Sequence, residues 1–246
     1  MSNVVQANIA IRYGFDAPGV IFGLLAGSFV ACGAGIAALM LLNSSLLVWV
    51  AAPVILVAIV LGVLGLSMVQ YSSVGKLRIQ AFVVDSLALK GPEHVLDIGT
   101  GRGLLGIGIA KQLTTGMVTG IDIWSAKDLT GNTFANAQAN AQAEGVSDRF
   151  VVQTADASTL PFANGSFDAV VSQFVIHNIE PEAARRNACF EMARVLKPGG
   201  VVLLGDYIPT HHYATWLAEA GLTVIYSRNF IATAMSLTWI ARAEKR

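Results

Sequence analysis

The stretch VLDIGTGRG, residues 95–103, joins a short apolar strand pattern to a glycine-rich turn. Asp97 stands two positions before Gly99, and Gly101 and Gly103 follow at alternate positions. Glycine allows the tight backbone conformations of such a turn and brings main-chain amides close to a ligand. A carboxylate beside the turn favours a ligand with an ammonium or sulfonium group and repels a pyrophosphate. The stretch therefore predicts a strand that ends at a binding site for a cationic ligand.

Strand and helix patterns alternate from this stretch to the end of the chain. Strand patterns occupy residues 93–98, 117–122, 149–153, 167–172, 200–206, 222–228 and 235–242. Helix patterns occupy residues 103–113, 131–144, 181–194 and 210–220. This alternation predicts an α/β fold with a mostly parallel sheet of seven strands and helices on both faces. Ligands of such sheets bind beyond the carboxyl ends of the strands.

The glycines alone leave two ligand classes open. Residues 101–106, GRGLLG, also satisfy the dinucleotide pattern of an NAD(P)-dependent oxidoreductase. Asp97 favours a cationic ligand, and Asp122 and Asp156 follow at the ends of the next two strand patterns. Each acid has a structural alternative as a helix cap, a turn residue or an exposed loop residue. Because parallel strands end at one edge of a sheet, we expect the three acids to share one crevice.

Four further stretches resemble the class I S-adenosylmethionine-dependent methyltransferases. They are GIDIW at 120–124, TADASTLPFANGSFDAVVSQ at 154–173, VLKPGG at 195–200 and the two closing strand patterns. The resemblance covers about residues 73–242 and implies a Rossmann-like fold that binds S-adenosyl-L-methionine. It implies that Asp122 holds the ribose hydroxyls, Ile123 packs on the adenine and Asp156 receives the adenine amino group. The cofactor-binding set it implies is Asp97, Gly99, Thr100, Gly101, Gly103, Asp122, Ile123, Asp156, Ala157 and Gln173.

The methyl group of a sulfonium is already activated, so the protein chiefly aligns the acceptor and excludes water. A general base is needed only where the acceptor arrives protonated. Polar candidates follow strands four and five: His177, Asn178, Asp206, Tyr207, His211 and His212. We favour His177 as the catalytic residue, since histidine changes charge near neutral pH and VIHNI lies on the acceptor side in similar enzymes. Loop scaffolding or helix capping is its alternative role.

The sequence argues against a metal centre and against a nucleic-acid substrate. Adjacent histidines at a helix start, such as His211 and His212, usually cap the helix or face solvent, so no metal site is expected. Cys32 and Cys189 have neither zinc-ligand spacing nor a position that favours a disulfide. The formal net charge of +0 and the lack of a basic stripe exclude a large phosphate-binding surface.

The amino-terminal part has the composition of a membrane segment. No Asp, Glu, Lys, Arg or His occurs from Ala17 to Gly75, in a chain that is 54% hydrophobic and 13% charged. Val20–Leu42 and Leu46–Val69 are each long enough to cross a hydrocarbon core of about 30 Å. A cleaved signal peptide is the alternative for the first run, but its apolar part is too long. We predict a helical hairpin turning at Asn43-Ser44-Ser45.

The hairpin sets the predicted organisation and location of the protein. Basic residues at Arg12, Lys76 and Arg78 flank it outside the loop, which predicts cytoplasmic termini and catalytic domain in a two-span cell-membrane protein. The first span carries small residues at a spacing of four, which suits close packing on the second span or on another copy. The predicted divisions are an amino-terminal segment at 1–19, the hairpin at 20–69 (spans 20–42 and 46–69), a connecting helix at 70–90 and the methyltransferase domain at 91–246.

The predicted function is the transfer of a methyl group to a small-molecule or lipid acceptor. The catalytic part has no insertion large enough for a lid, so the connecting helix and the hairpin are expected to cover the acceptor. A hydrophobic acceptor from the membrane, such as a quinone, an isoprenoid or a phospholipid headgroup, is the favoured class, with Lys76 and Arg78 near lipid phosphates. The alternatives are an anchored enzyme with a soluble acceptor, an NAD(P)-dependent oxidoreductase and a non-catalytic cofactor-binding membrane subunit. The sequence leaves the oligomeric state open.

Overall fold

The strand that contains Asp97 lies at the centre of a seven-stranded sheet. The computed structural model describes residues 13–41 and 46–246. The strands are β1 (His94–Ile98), β2 (Met117–Asp122), β3 (Phe150–Thr154), β4 (Phe167–Gln173), β5 (Leu196–Asp206), β6 (Thr223–Asn229) and β7 (Trp239–Glu244). Their order is β3-β2-β1-β4-β5-β7-β6. Only β7 runs antiparallel to its neighbours among the described strands, so the predicted mostly parallel sheet is confirmed.

Helices cover both faces of this sheet. In chain order they are α1 (Pro18–Leu41), α2 (Leu46–Gln70), α3 (Lys76–Leu87), α4 (Leu104–Ala110), α5 (Phe134–Ala143), α6 (Glu182–Val195), α7 (His211–Glu219) and α8 (Ile231–Ala234). One core cluster includes Ile79 of α3 and Ile107 of α4, and the other includes Met192 of α6 and Leu217 of α7. The buried strands are apolar on both faces because helices pack on each side.

The prediction of the last strand is displaced, and β5 begins at Leu196, four residues before its predicted start. Residues 235–242 were expected to be extended, but β7 begins only at Trp239. Residues Ile231–Ala234 form the short helix α8, and Met235 after it has a positive φ of 56°, which breaks the strand pattern. The apolar composition of this segment reflects its packing beside α3 rather than a continuous strand, since Phe230 stacks on Phe82 with ring centroids 4.4 Å apart.

The helices α1 and α2 lie side by side and project their apolar residues outward. The two helices are long and apolar enough to cross a membrane, and only 11% of each apolar window is buried. Phe29 is 79% exposed and Trp49 is 81% exposed. A core helix of a soluble protein would be mostly buried, so the exposure of these side chains is typical of a surface that meets lipid. The predicted loop Asn43-Ser44-Ser45 and Arg12 lie outside the described residues.

Small residues allow the two helices to approach closely. The Cβ position at Gly35 lies 2.7 Å from Cγ1 of Ile55, and that at Gly27 lies 3.3 Å from Leu61. Ser28 Oγ donates a hydrogen bond of 2.7 Å to the carbonyl of Ala58. The predicted packing of the small-residue face on the second helix is confirmed at Gly27 and Gly35. At Gly19 and Gly23 the second helix contributes no atom within 4 Å of the Cβ position, which leaves the alternative of packing on another copy open there.

The segment Tyr13–Ala17, which we call the strap, joins the hairpin to the catalytic sheet. The backbone N–H of Ala17 donates to the carbonyl of Asp128 at 2.8 Å, and that of Thr130 donates to Phe15 at 3.1 Å. Lys76 Nζ donates to the carbonyls of Gly14 and Tyr13 and lies 3.5 Å from Asp16 Oδ2. The expectation that Lys76 lies near lipid phosphates is wrong, because its side chain is 4% exposed and paired with the strap. Arg78 is exposed.

Candidate active site

The glycine-rich turn connects β1 to α4 at the carboxyl edge of the sheet. Gly99, Gly101 and Gly103 have positive φ angles of 69°, 56° and 85°. Residues with a Cβ rarely adopt this conformation. The Cβ position at Gly101 would also lie 2.8 Å from Leu129 Cδ2. The turn therefore requires glycine for its backbone path as well as for the close approach of Leu129.

Asp97 lies beneath the turn and is 2% exposed. Its Oδ2 accepts hydrogen bonds from Thr100 Oγ1 at 2.7 Å and from the backbone N–H of Gly106 at 2.9 Å. Burial raises the pKa of Asp97 to about 7, against the lowering effect of these two hydrogen bonds and with a further contribution from the charge of Asp122. A carboxylate held in this way is stabilised in its ionised form by a nearby cation.

Asp122 ends β2 and ties the neighbouring loops together. Its Oδ2 accepts from the backbone N–H of Gly101 at 2.8 Å, and its Oδ1 accepts from that of Trp124 at 2.6 Å. Asn132 Nδ2 lies 3.2 Å from the same Oδ1. Each carboxylate oxygen can accept more than one hydrogen bond, so these contacts leave capacity for ribose hydroxyls. Asp122 therefore shapes the turn as well as facing the cavity.

The two other predicted adenine contacts differ in environment. Ile123 is 68% exposed although it lines the cavity, so its apolar side chain presents a face on which a planar ring can pack. Asp156 is exposed, and its Oδ1 accepts from both the backbone N–H and the hydroxyl of Ser158, each at 2.8 Å. The exposure of Asp156 agrees with its alternative role as an exposed loop residue, and its carboxylate also stabilises the turn. Ala157 beside it is 7% exposed and lines the same cavity.

Gln173 ends β4, and both atoms of its side-chain amide are buried without a hydrogen-bond partner. The hydroxyl of Tyr71 faces this amide without forming a bond of regular geometry. Burial, with the charge of Asp16 adding to it, raises the pKa of Tyr71 far above its ordinary value. Tyr71 therefore stays protonated and offers a donor beside Gln173.

His177 lies on a short 3-10 turn after β4 and is held by Asp206 at the end of β5. The Nδ1 of His177 is 2.7 Å from Oδ1 of Asp206, although the ring N–H is not aligned for a regular hydrogen bond. Asp206 is fully buried and also accepts from the backbone N–H of Tyr207 at 2.7 Å and from the hydroxyl of Tyr213 at 3.2 Å. The sequence suggested His177 and Asp206 separately, and only the fold pairs them.

A cavity of about 1000 Å³ unites these groups. Its wall includes the predicted cofactor residues Asp97, Gly99, Thr100, Gly101, Asp122, Ile123, Asp156, Ala157 and Gln173, together with His177. Gly103 is not in the wall but lies at the start of α4. The strap contributes Tyr13, Asp16 and Ala17, and the hairpin contributes Val20, Leu24, Leu64, Ser67 and Met68. Acids, an exposed apolar side chain and a glycine turn around one cavity fit a cofactor that carries a cation, a ribose and a planar base.

Several features of the site have no signal in the sequence. The strap has no regular pattern, and its role depends on contacts with the 128–130 segment across more than a hundred residues of chain. Cys189, by contrast, behaves as its position on a helix indicates. It is fully buried, and burial raises the pKa of its thiol to about 12, so it acts in packing rather than as a nucleophile. His211 and His212 lie outside the cavity wall, on exposed positions of α7.

Similarity to known proteins points to the same chemistry. Residues 95–200 match the family described as methyltransferase domain. A demethylmenaquinone methyltransferase of Thermus thermophilus is 34% identical over 133 residues, which are 54% of this chain and 56% of that protein. The chain spans about half the length of the curated relatives it matches.

Solved structures show the same fold at low identity. A SAM dependent methyltransferase from Aquifex aeolicus superposes with a TM-score of 0.55 at 18% identity, over 67% of this chain and 88% of that one. The [4+2]-cyclase SpnF superposes with a TM-score of 0.57 at 20% identity, over 69% of this chain and 81% of that one. Because one fold serves different reactions, these likenesses establish architecture alone. The sequence match over residues 95–200 and the acids around the glycine turn both point to methyltransferase chemistry in this part of the chain.

Proposed function

We propose that the protein is a membrane-anchored methyltransferase that acts on a hydrophobic acceptor drawn from the cytoplasmic leaflet. The observation that carries this proposal is the continuity of one cavity. Asp97 and Asp122 line it at the edge of the sheet, and Leu24, Leu64 and Met68 line it at the base of the hairpin. An acceptor can therefore reach the cofactor site along apolar side chains without crossing bulk water.

The residues of the domain hold the cofactor by charge and shape. Asp97 and the amides of the glycine turn attract and seat its cationic part, Asp122 accepts from the ribose, and Ile123 packs on the base. When bound, S-adenosylmethionine supplies an activated methyl group, and its sulfur keeps both electrons of the broken bond. His177 is the candidate base for an acceptor that arrives protonated.

Three features support the anchoring role of the hairpin. The helices α1 and α2 together expose aromatic and aliphatic side chains over most of their length, including Phe22 at 75% and Met40 at 81%. The polar hydroxyl of Ser28 is satisfied inside the helix pair by the Ala58 carbonyl. Internal satisfaction of polar groups is what a hydrocarbon environment requires. The distribution of basic residues then favours termini and catalytic domain in the cytoplasm.

Fusion of reporter proteins tests this orientation. A carboxyl-terminal fusion to an enzyme that is active only outside the cytoplasm should stay silent, whereas a fluorescent protein that folds in the cytoplasm should be bright. Membrane fractions should retain both fusions after a high-salt wash. A silent fluorescent fusion with an active exported reporter would reverse the proposed orientation.

The acceptor class follows from the cavity wall rather than from a relative's name. A quinone, an isoprenoid and a phospholipid each carry the apolar part that the hairpin end of the cavity would contact. The relative named demethylmenaquinone methyltransferase makes quinones the first acceptors to test. An anchored enzyme with a soluble acceptor remains the second candidate, because the carboxyl edge of the sheet by itself can hold a small molecule.

A labelled-methyl assay separates these functions. The full chain in lipid nanodiscs is incubated with tritiated S-adenosylmethionine and either a membrane lipid extract or a water-soluble extract. We expect label in the lipid fraction. Label only among soluble molecules supports the second candidate, and absence of label with intact binding of S-adenosylhomocysteine supports a non-catalytic subunit. Binding of NADH in place of S-adenosylhomocysteine would overturn the assignment.

A pair of hairpin variants makes the assay specific for the cavity. Met68→Trp adds bulk to the cavity wall, whereas Leu66→Trp adds it to a position on the same helix that is 63% exposed and outside that wall. We expect Met68→Trp to slow labelling of the lipid acceptor at least severalfold and Leu66→Trp to leave it unchanged. Equal rates would contradict passage of the acceptor along the hairpin.

A further inference from the structure

We propose that the acceptor presents a hydroxyl on a planar ring, which Gln173 and Tyr207 hold while His177, positioned by Asp206, removes its proton. This proposal rests on the proposed function and names the chemical class of its acceptor. The class would include phenols and reduced quinones. Three observations support this proposal in addition to the general shape of the cavity.

The first observation is the unsatisfied amide of Gln173. Both Oε1 and Nε2 are buried without a hydrogen-bond partner, and the residue lines the cavity at the end of β4. A buried amide in a native structure nearly always has partners, so this one indicates a ligand that supplies them. The acceptor hydroxyl accepts from Nε2 and keeps its own proton available to His177, while the Tyr71 hydroxyl that faces the amide offers a donor to Oε1.

The second observation is an aromatic wall next to this amide. Phe174 stacks on Tyr71 with ring centroids 4.8 Å apart and meets Tyr207 edge-on at 6.3 Å. Tyr207 in turn meets the ring of His177 at 4.5 Å and remains 46% exposed. Phe174 has a positive φ of 58°, a strained conformation that aims its ring at this wall. The exposed ring of Tyr207 can pack against a flat acceptor.

The third observation is the orientation of His177. Its Nδ1 lies 2.7 Å from the buried Oδ1 of Asp206, which leaves Nε2 as the nitrogen available to the cavity. Asp206 has no ion pair with Lys or Arg among residues 13–41 and 46–246. An aspartate in this position selects the tautomer with the proton on Nδ1.

Side chains from several neighbouring elements surround the pair of His177 and Asp206. Tyr213 of α7 donates to Asp206 at 3.2 Å, and burial followed by the charge of Asp206 raises the pKa of Tyr213, so it remains a donor. Tyr207 faces the imidazole, and Glu180 lies in the same wall. The charge of Arg185 on α6 acts in the opposite direction and lowers the pKa of Tyr213. The cavity residues next to His177 are thus aromatic rings, an amide and a carboxylate, which suit an oxygenated ring better than a phosphate.

The proton step balances within these groups. The O–H bond of the acceptor breaks, its electron pair stays on oxygen, and the proton forms a bond to Nε2 of His177. The neutral pair becomes an oxyanion and an imidazolium, which Asp206 stabilises. The imidazolium then loses its proton to solvent and the base is restored. The side-chain amide of Gln173 donates a hydrogen bond from its Nε2 to the oxyanion.

A chromogenic phenol tests the proposal without turnover. The full chain in detergent micelles is saturated with S-adenosylhomocysteine and titrated with 4-nitrophenol, whose anion is yellow. We expect saturable binding and a larger anionic fraction on the protein than in buffer at the same pH. His177→Gln should reduce the bound anionic fraction at least severalfold, and Gln173→Leu should weaken binding by a similar factor. His212→Gln and Gln112→Leu, both at exposed positions, are the matched controls.

The outcomes separate this proposal from the proposed function. Failure to bind S-adenosylhomocysteine would overturn the methyltransferase assignment itself. Binding of S-adenosylhomocysteine without any binding of the phenol would overturn the ring-hydroxyl acceptor alone. An anionic fraction that is the same in the wild type and in His177→Gln would remove the base. Asp206→Asn is read only if its thermal transition and S-adenosylhomocysteine affinity match the wild type, and the colour should then fall as in His177→Gln.

Discussion

Asp97 and Asp122 both accept hydrogen bonds from the glycine turn, from Thr100 and Gly101 respectively, and the charge of Asp122 adds to burial in raising the pKa of Asp97 to about 7. Two acids at one sheet edge repel each other until a cation lies between or beside them. Without a bound cation, the crevice therefore favours a proton on Asp97, and a bound methyl donor favours the loss of that proton.

The first prediction concerns the pH dependence of cofactor binding. A bound cation lowers the pKa of Asp97 from about 7, so binding should release a proton near neutral pH and weaken as the pH falls. We expect the affinity to drop by up to about tenfold per pH unit below pH 7. Calorimetry in two buffers of different ionisation enthalpy measures the proton release. In Asp97→Asn this release should vanish, and a pH-independent wild type between about pH 5 and pH 8 would contradict the prediction.

The ionisation of Asp97 should also make folding stability depend on pH, but in the opposite direction from cofactor binding. The pKa of Asp97 is about 7 when folded against an ordinary value of 3.8, so the folded state binds the proton more tightly. In the absence of cofactor, this carboxyl should lower the free energy of unfolding as the pH rises from about 4 to about 7. Denaturant titrations of the full chain and of Asp97→Asn across this range measure the effect. A decrease of the same size in both proteins would assign it to other groups.

The next prediction uses the contact between Gly106 and Asp97. A Cβ at Gly106 would lie 2.9 Å from Asp97 Oδ2 and 2.5 Å from Phe150 Cε2. Gly106→Ala should therefore destabilise the fold by about 1–3 kcal/mol and weaken S-adenosylhomocysteine binding by displacing the carboxylate. Gly108→Ala is the control, because the three atoms nearest to its Cβ position all belong to the side chain of Gln80 and not to Asp97. Thermal unfolding and calorimetry should separate the two variants, and equal behaviour would show that the helix yields without moving Asp97.

We expect Lys76 to hold the strap in its position beside the catalytic sheet. Replacement by methionine leaves the Gly14 and Tyr13 carbonyls without their buried donor, at a cost of about 1–3 kcal/mol. Because the strap lines the cavity, Lys76→Met should also speed proteolytic cleavage at Tyr13 and lower S-adenosylhomocysteine affinity. Arg78→Met changes an exposed residue of the same helix and should do neither. Cleavage of both variants at the same rate would show that Lys76 does not hold the strap in place.

The packing of the hairpin should depend on which face of α1 is enlarged. The Cβ position at Gly35 lies 2.7 Å from Ile55, whereas that at Gly33 has no atom within 4 Å. Gly35→Leu should separate the helices and destabilise the pair by about 1–3 kcal/mol, while Gly33→Leu should have little effect. Thermal stability in detergent compares the two variants. A larger loss for Gly33→Leu would indicate that this face packs on another copy of the chain.

Much of the catalytic domain follows from local patterns. The strand predicted at 117–122 is observed as Met117–Asp122, and the strand around Asp97 differs by one residue at its start. These agreements arise because the alternation of apolar residues, the glycine turn and the ends of parallel strands are all encoded within short windows. The displaced start of β7 shows the limit. Met235 ends α8 with a positive φ, and no local pattern in the sequence marks this break before Trp239.

The candidate site could likewise be predicted from the sequence only in part. The sequence indicated that three acids end successive strands, and Asp97 and Asp122 do line one buried crevice. Asp156 lines it from an exposed turn, where its carboxylate is engaged by Ser158. No pattern in the chain distinguishes these outcomes, because the choice depends on whether neighbouring elements exclude water from the carboxylate.

The sequence by itself determined the kinds of element, their order, the glycine turn and the two apolar helices, because each of these depends on neighbours along the chain. Only the tertiary structure decided that Lys76 holds the strap, that Asp206 orients His177 and that the base of the hairpin shares a cavity with Asp97. These contacts join residues far apart in sequence. Their distances are set by how the helices pack on the sheet, which no local pattern specifies.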